Sequence, residues 1–220
     1  MVEGLPKLKE VVKVCTVCNI GKQQRHKFPK KSKWRASNKL ELIHGDLCGP
    51  ITPTSHSGKR YLLVLVDDFS RKTWIYFLVD KSEAFETFKN FKNLVENEAK
   101  TAIHGLRTDR GGEFTSNEFN NFCKDNGIKR QLTTAYTPQQ NEVAEKRNQT
   151  IMNMVRCLLS EKEMSKKLWP EAARWTTHVR NRSYTKAIKD MVPEEKWLGI
   201  KPNVEYFRMF GSIAHVHIPE

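Results

Sequence analysis

Apolar residues recur along this chain with two periods, and the switches between them mark strands and then helices. Residues 40–47 read as a strand with Asp46 near its end, ahead of the turn-forming Gly49-Pro50 pair. Residues 61–66 (YLLVLV) and 73–79 are β-branched and aromatic runs separated by DDFSR, which predicts a hairpin. The unbroken apolarity of the first run predicts a strand buried on both faces. Asp80 and Glu83 form a capping box, and Phe85, Phe88, Phe91 and Val95 give the helix that follows its apolar stripe. Residues 102–107 return to strand and deliver Asp109 at the end. Thr115 and Glu118 form a second capping box, with Phe119 and Phe122 inward and Gly127 as the stop. Residues 128–134 read as a short strand and residues 135–141 as a loop containing Pro138. Ile151, Met154, Val155, Leu158 and Leu159 then mark a long helix running to about residue 160. Pro170 opens another helix, residues 193–199 a short one bounded by Pro and Gly, and residues 212–218 a last strand. This order predicts an α/β fold, a mixed sheet flanked by helices.

Composition narrows the class. A chain of 220 residues with 38% apolar and 10% aromatic residues can bury a substantial core. Its net charge of +13 is unevenly placed. Residues 1–40 hold eleven Lys or Arg against Glu3 and Glu10, which accounts for +9 of that excess. Such a stripe suits a polyanion, because each phosphate contact releases condensed counterions; a solvated basic leader is the bland alternative. Five cysteines, mostly scattered, make no disulfide framework. No apolar run is long enough to span a bilayer and no signal peptide opens the chain, so an intracellular, reducing location is expected.

The candidate chemistry lies in three carboxylates from distant segments: Asp46 in IHGDLCGP, Asp109 in LRTDRGGEF and Glu145 in TPQQNEVAEKRNQT. Two fall at predicted strand ends and the third in the first turns of a helix, so all three could meet at one sheet edge. Hard oxygen ligands gathered in this way suit a pair of Mg²⁺ or Mn²⁺ ions and phosphoryl transfer. Any single acid is more often merely solvated. For Glu113 and the Asp67-Asp68 pair, turn chemistry and pairing with Arg or Lys are expected instead.

The segments HGDLCGP, DDFSRKTW, LRTDRGGEF, TPQQNEVAEKRNQT, NRSYTKA, PEEKWLGIKP and FRMFGSIAHV, in that order, resemble the integrases of copia-type (Pseudoviridae) LTR retrotransposons. The resemblance covers nearly the whole chain and includes 35 residues between Asp109 and Glu145. It implies an RNase H-like catalytic core over residues 36–200, preceded by a basic leader at 1–35 and followed by a C-terminal extension at 201–220. It also implies a catalytic, metal-binding triad of Asp46, Asp109 and Glu145. The activity implied is two-metal 3′-end processing and strand transfer of element DNA. The triad is then expected to converge within metal-bridging distance. Where that family reads N-G-V-A-E, this chain has Glu142 in place of the glycine. A glutamate disfavours a positive φ there, and its charge can repel Glu145 or compete for metal. The rival reading is an inactive element remnant that only binds nucleic acid.

Cys15-x-x-Cys18 supplies half of a tetrahedral zinc site. The resembled family completes such a module with two upstream histidines, whereas here no histidine precedes His26. Zinc binding is therefore not expected, and the chain reads as a truncated piece of a larger polyprotein. Lys22, Arg25, Lys30, Lys31, Lys33 and Arg35, interleaved with Phe28 and Trp34, are candidate DNA contacts. Lys146 and Arg147 adjoin Glu145 and could hold a DNA strand over the metals. From the resemblance come DNA as the partner, a homo-oligomer when active, and a nuclear location.

Overall fold

All seven residues of the run YLLVLVD are buried, and a strand with no exposed face must be covered on both sides. The computed structural model describes residues 34–132 and 141–213. It shows a mixed sheet of five strands: β1 (Ile43–Cys48), β2 (Tyr61–Asp67), β3 (Thr73–Leu78), β4 (Gly105–Thr108) and β5 (Lys129–Leu132), in the order β3-β2-β1-β4-β5. The first three strands form an antiparallel meander, and β4 and β5 add in parallel beyond β1. The described residues from Arg35 onward belong to one compact unit.

Alternation along β2 divides two cores. Leu63 and Leu65 face a layer built from α1 (Ala84–Ala99), the short α2 (Gly112–Thr115) and α3 (Asn117–Asp125), where Phe88, Phe91, Phe114 and Phe119 are buried. Leu62, Val64 and Val66 face α4 (Glu142–Glu161) and α5 (Trp169–Asn181), meeting Ile151, Val155, Leu159 and Trp169. The last helix, α6 (Pro193–Leu198), places Trp197 against the first core and ends at Gly199 with φ 80°, which glycine adopts without strain. The Asp80–Glu83 capping box is present on a 3₁₀ turn that leads directly into α1.

Three sequence expectations shift. β4 begins at Gly105 rather than at residue 102, because the Ile103 N–H bonds the Glu96 carboxylate at 2.8 Å instead of a neighbouring strand. Residues 112–115 already form the short helix α2, and Thr115 Oγ1 donates to the Gly111 carbonyl at 3.2 Å. The cap of α3 therefore falls to Ser116, whose Oγ accepts the Phe119 N–H at 3.1 Å. Ser212 and Ile213 lie outside any strand, and the rest of the expected final strand lies outside the described residues, as do residues 133–140.

The turn between β2 and β3 is closed by two buried aspartates. Asp67 accepts from the Ser70 N–H and hydroxyl at 2.7 and 2.6 Å, and from the Leu40 N–H at 3.0 Å. Asp68 accepts from the Ala36 N–H at 2.7 Å and His44 Nε2 at 2.9 Å, and pairs with Arg71 at 3.0 Å. These bonds tie the segment entering the sheet, β1 and the hairpin into one knot. Turn chemistry and arginine pairing were the sequence expectation for both acids.

Burial alone would push the Asp68 carboxyl up, but the His44 hydrogen bond, the Arg71 charge and the Ala36 N–H outweigh it and hold it at about 2. A carboxyl held below its ordinary 3.8 stabilises the fold fully above that value and loses the contribution as pH falls toward 2. Asp68→Asn is therefore expected to cost about 2 kcal/mol near neutral pH. Urea denaturation across the acid range should show the gap between wild type and variant narrowing as pH drops below about 4.

Candidate active site at the edge of the parallel strands

β1 and β4 pair in parallel with Ile43 opposite Leu106 and His44 opposite Arg107. Asp46 and Asp109 each follow two residues later, so the register brings both to the same end of the strand pair. Gly45 allows the close approach: a β-carbon there would meet Leu65 and Thr108 at 3.2 Å. Asp109 is held in turn by the Gly111 N–H, which donates to its Oδ1 at 3.1 Å.

Helix α4 is fastened to this edge by two asparagines. Asn141 donates from Nδ2 to the Gly45 carbonyl at 3.0 Å, and Asn148 donates from Nδ2 to Asp46 Oδ2. Asn148 lies three residues after Glu145 and so shares its helix face. Both amides keep a buried Oδ1 without a hydrogen-bond partner. Neither asparagine was singled out from sequence, although the spacing from Glu145 would have pointed to Asn148.

The carboxylates feel one another. Burial pushes the Asp46 carboxyl up; the Asn148 hydrogen bond opposes this, and Asp109 and Glu113 raise it further. Burial also raises Glu145, followed by the charges of Asp46, Asp109 and Glu142. All three triad side chains stay partly exposed. Among the described residues, no three His, Cys, Asp or Glu side chains stand close enough to hold a metal ion. The expected convergence within metal-bridging distance is therefore not met: the carboxylates lie near enough for charge to be felt but are not close enough together to hold one ion. Glu113 pairs with Lys81 at 3.8 Å, as its sequence reading expected, and is also a fourth acid whose charge reaches Asp46.

Glu142 opens α4 without a positive φ and forms an ion pair with Lys146 across one helical turn. Lys146 is exposed. Arg147, two residues past Glu145, points round to the other side of the helix, where Nη2 reaches the Arg71 carbonyl at 3.5 Å. It does not overlie the carboxylates. The Arg35 guanidinium donates to the carbonyls of Asp68 (3.3 Å), Phe69 (3.1 Å) and Ala187, so its donors serve the fold. Cys15, Cys18, Lys22, Arg25, Lys30, Lys31 and Lys33 lie outside the described residues.

Residues 36–138 match the family model of the integrase core domain. The chain carries an integrase core domain. Relatives are retrotransposon Pol polyproteins. That of tobacco (Nicotiana tabacum) transposon TNT 1-94 is 38% identical over 209 residues, which is 95% of this chain and 16% of the relative. That of Arabidopsis thaliana transposon RE1 is 34% identical over 202 residues, 91% of this chain and 13% of the relative. The yeast Ty1-DR4 Gag-Pol polyprotein is 28% identical over 172 residues, 76% and 11%. The integrase core thus spans under a fifth of these relatives. Among solved structures, a chain of the simian T-cell lymphotropic virus intasome, in complex with PP2A regulatory subunit B56 gamma, matches with TM-score 0.63 and 15% identity, covering 88% of this chain and 64% of that one. The HTLV-2 integrase catalytic core domain in complex with magnesium matches with TM-score 0.55 and 19% identity, covering 73% and 98%. The fold is the RNase H-like fold of retroviral integrase cores.

The asparagine contact yields a direct expectation. Asn148→Ala removes a donor that favours the charged form of Asp46, so Asp46 should titrate at higher pH than in the wild type. Carboxyl-carbon NMR on the metal-free protein checks this, and an unchanged Asp46 titration would contradict the contact.

Proposed function

We propose that this integrase core performs 3′-end processing of element DNA and joins the processed ends to target DNA, with Asp46, Asp109 and Glu145 as its catalytic carboxylates. The observation that carries the proposal is the β1–β4 register that brings Asp46 and Asp109 to one end of the strand pair, where Asn148, on the helix face of Glu145, bonds Asp46. Each carboxylate is an all-oxygen donor, each is partly open to solvent, and their mutual repulsion is what a bound divalent cation relieves. In donor chemistry the residues therefore fit Mg²⁺ or Mn²⁺, and the magnesium complex of the HTLV-2 core supports the same choice. Two such ions, when bound, would activate a water or a 3′-hydroxyl and stabilise the departing oxygen of an in-line displacement.

The chain's own residues supply position. Asn148 fixes one oxygen of Asp46, Gly111 fixes one oxygen of Asp109, and Asn141 locks the Gly45 carbonyl that precedes Asp46. Because burial and mutual charge raise Asp46 and Glu145, protonation reaches them at a higher pH than ordinary carboxylates. In the metal-free protein both carboxyls are expected to titrate above the ordinary carboxylate range, which carboxyl-carbon NMR checks. The exposed Lys146, which pairs with Glu142 at the start of α4, is a candidate contact for a DNA phosphate. DNA is the partner in this reading, with self-association in the active state and a nuclear site of action; among the described residues no helix is long and apolar enough to cross a membrane.

One observation favours the rival reading of an inactive remnant: the Glu142 charge adds to the load on Glu145. Its pairing with Lys146 and its ordinary helical backbone argue that the site accommodates it.

A joining assay on short duplex DNA with Mn²⁺ separates the two. Joined product should appear for the wild type and fall more than about a hundredfold in Asp109→Asn, since even residues behind a metal ligand are commonly worth 10–100-fold. Wild-type and Glu142→Gly proteins that both fold and bind DNA but yield no product would support the remnant. Product from Glu142→Gly alone would identify Glu142 as the residue that silences the site.

A further inference from the structure

On the side of α4 turned away from the carboxylates, three arginines from separate elements converge. Arg71 comes from the β2–β3 turn, Arg147 from α4 and Arg180 from the last turn of α5. Arg71 is held in the left-handed region at φ 60°, and its carbonyl receives Arg147 Nη2 at 3.5 Å. The end of α5 is pinned to the same turn by Asn181, which accepts the Thr73 N–H at 3.0 Å and donates to the Thr73 carbonyl at 2.8 Å. Arg180, the residue before it, has a buried Nε and lies near enough for its charge to act on Arg147.

The acids available do not balance this charge. Asp68 pairs with Arg71 at 3.0 Å and is already shared with His44 and the Ala36 N–H. Among the described residues, neither Arg147 nor Arg180 has a carboxylate partner. The Nε atoms of Arg71 and Arg180 are buried with no hydrogen-bond partner. Burial, then the charges of Arg180 and Arg71, pull the Arg147 guanidinium down to about 10. Like charges buried together with idle donors are costly unless an anion joins them.

We propose that Arg71, Arg147 and Arg180 form an oxyanion site that takes a tetrahedral phosphate, supplied by a nucleic-acid backbone running past the far side of α4. Planar guanidinium forks suit phosphate oxygens, and the site lies a helix width away from the metal-binding edge. The nucleic-acid source rests on the integrase reading; the oxyanion chemistry does not.

Two readouts test the site on the full chain. The first compares melting temperatures in inorganic phosphate and in chloride at matched ionic strength, for wild type, Arg147→Met and Arg180→Met. Phosphate should raise the wild-type Tm about 3 °C more than chloride does, and this excess should vanish in both variants. In chloride the variants should melt no lower than the wild type, since each removes a buried repulsion. The second readout is the salt dependence of duplex DNA binding without divalent ions. Its logarithmic slope should fall by about one in Arg147→Met if the phosphate belongs to DNA. A phosphate effect with an unchanged slope would sustain the oxyanion site while overturning DNA as its source. An equal phosphate effect in wild type and variants, or none in either, would overturn the site. Because the thermal readout uses neither DNA nor metal, it can succeed even if end joining fails.

Discussion

The parallel pairing of β1 with β4 constrains both aspartates at the site. In a strand, side chains alternate between faces, so a slip of one residue would send Asp46 to the wrong side of the sheet. The register is held from both directions. β2 is buried on both faces and pairs residue by residue with β1 from Ile43–Asp67 to Cys48–Leu62. At the other end, Asp67 and Asp68 fix the hairpin to Leu40, Ala36 and His44. With β1 locked, β4 lies alongside with Thr108 packed over Gly45, where a β-carbon would crowd it at 3.2 Å.

Helix α4 then carries groups of opposite charge on two sides. The Glu145–Asn148 side meets Asp46, while Arg147 turns to the guanidinium cluster at Arg71 and Arg180. The apolar seam of Ala144, Ile151, Val155 and Leu159 fixes the rotation of the helix between them. The helix thus ties an anionic edge suited to metal to a cationic cluster suited to phosphate. An enzyme acting on a polyanion needs both signs of charge placed apart.

Much of this was legible in the sequence where one local rule dominated. The unbroken run YLLVLV announced a doubly buried strand, the Asp80–Glu83 box announced a helix start, and Pro193 and Gly199 bracketed the last helix. The triad residues stood out by their flanking segments and by the interval before Glu145. What stayed hidden depended on contacts between distant segments. A boundary such as Ser116 shifted because Thr115 bonded back to Gly111. The role of Asn141 requires knowing that Gly45 lies beside it, and the bonds from Arg35 to the Asp68 and Phe69 carbonyls join segments far apart in the chain. Arg147 seemed to adjoin the metal site because chain proximity to Glu145 says nothing about helix face until the helix phase is known.

The central claim is that Asp46, Asp109 and Glu145 form one divalent-cation site, and Mn²⁺ titration followed by carboxyl-carbon NMR tests it most directly. Paramagnetic broadening should strike these three carboxyls first and together, and Asp46→Asn should abolish it at the other two. Broadening that begins at other acids, such as Glu118 or Glu161, while Asp46 and Asp109 stay sharp would contradict the claim.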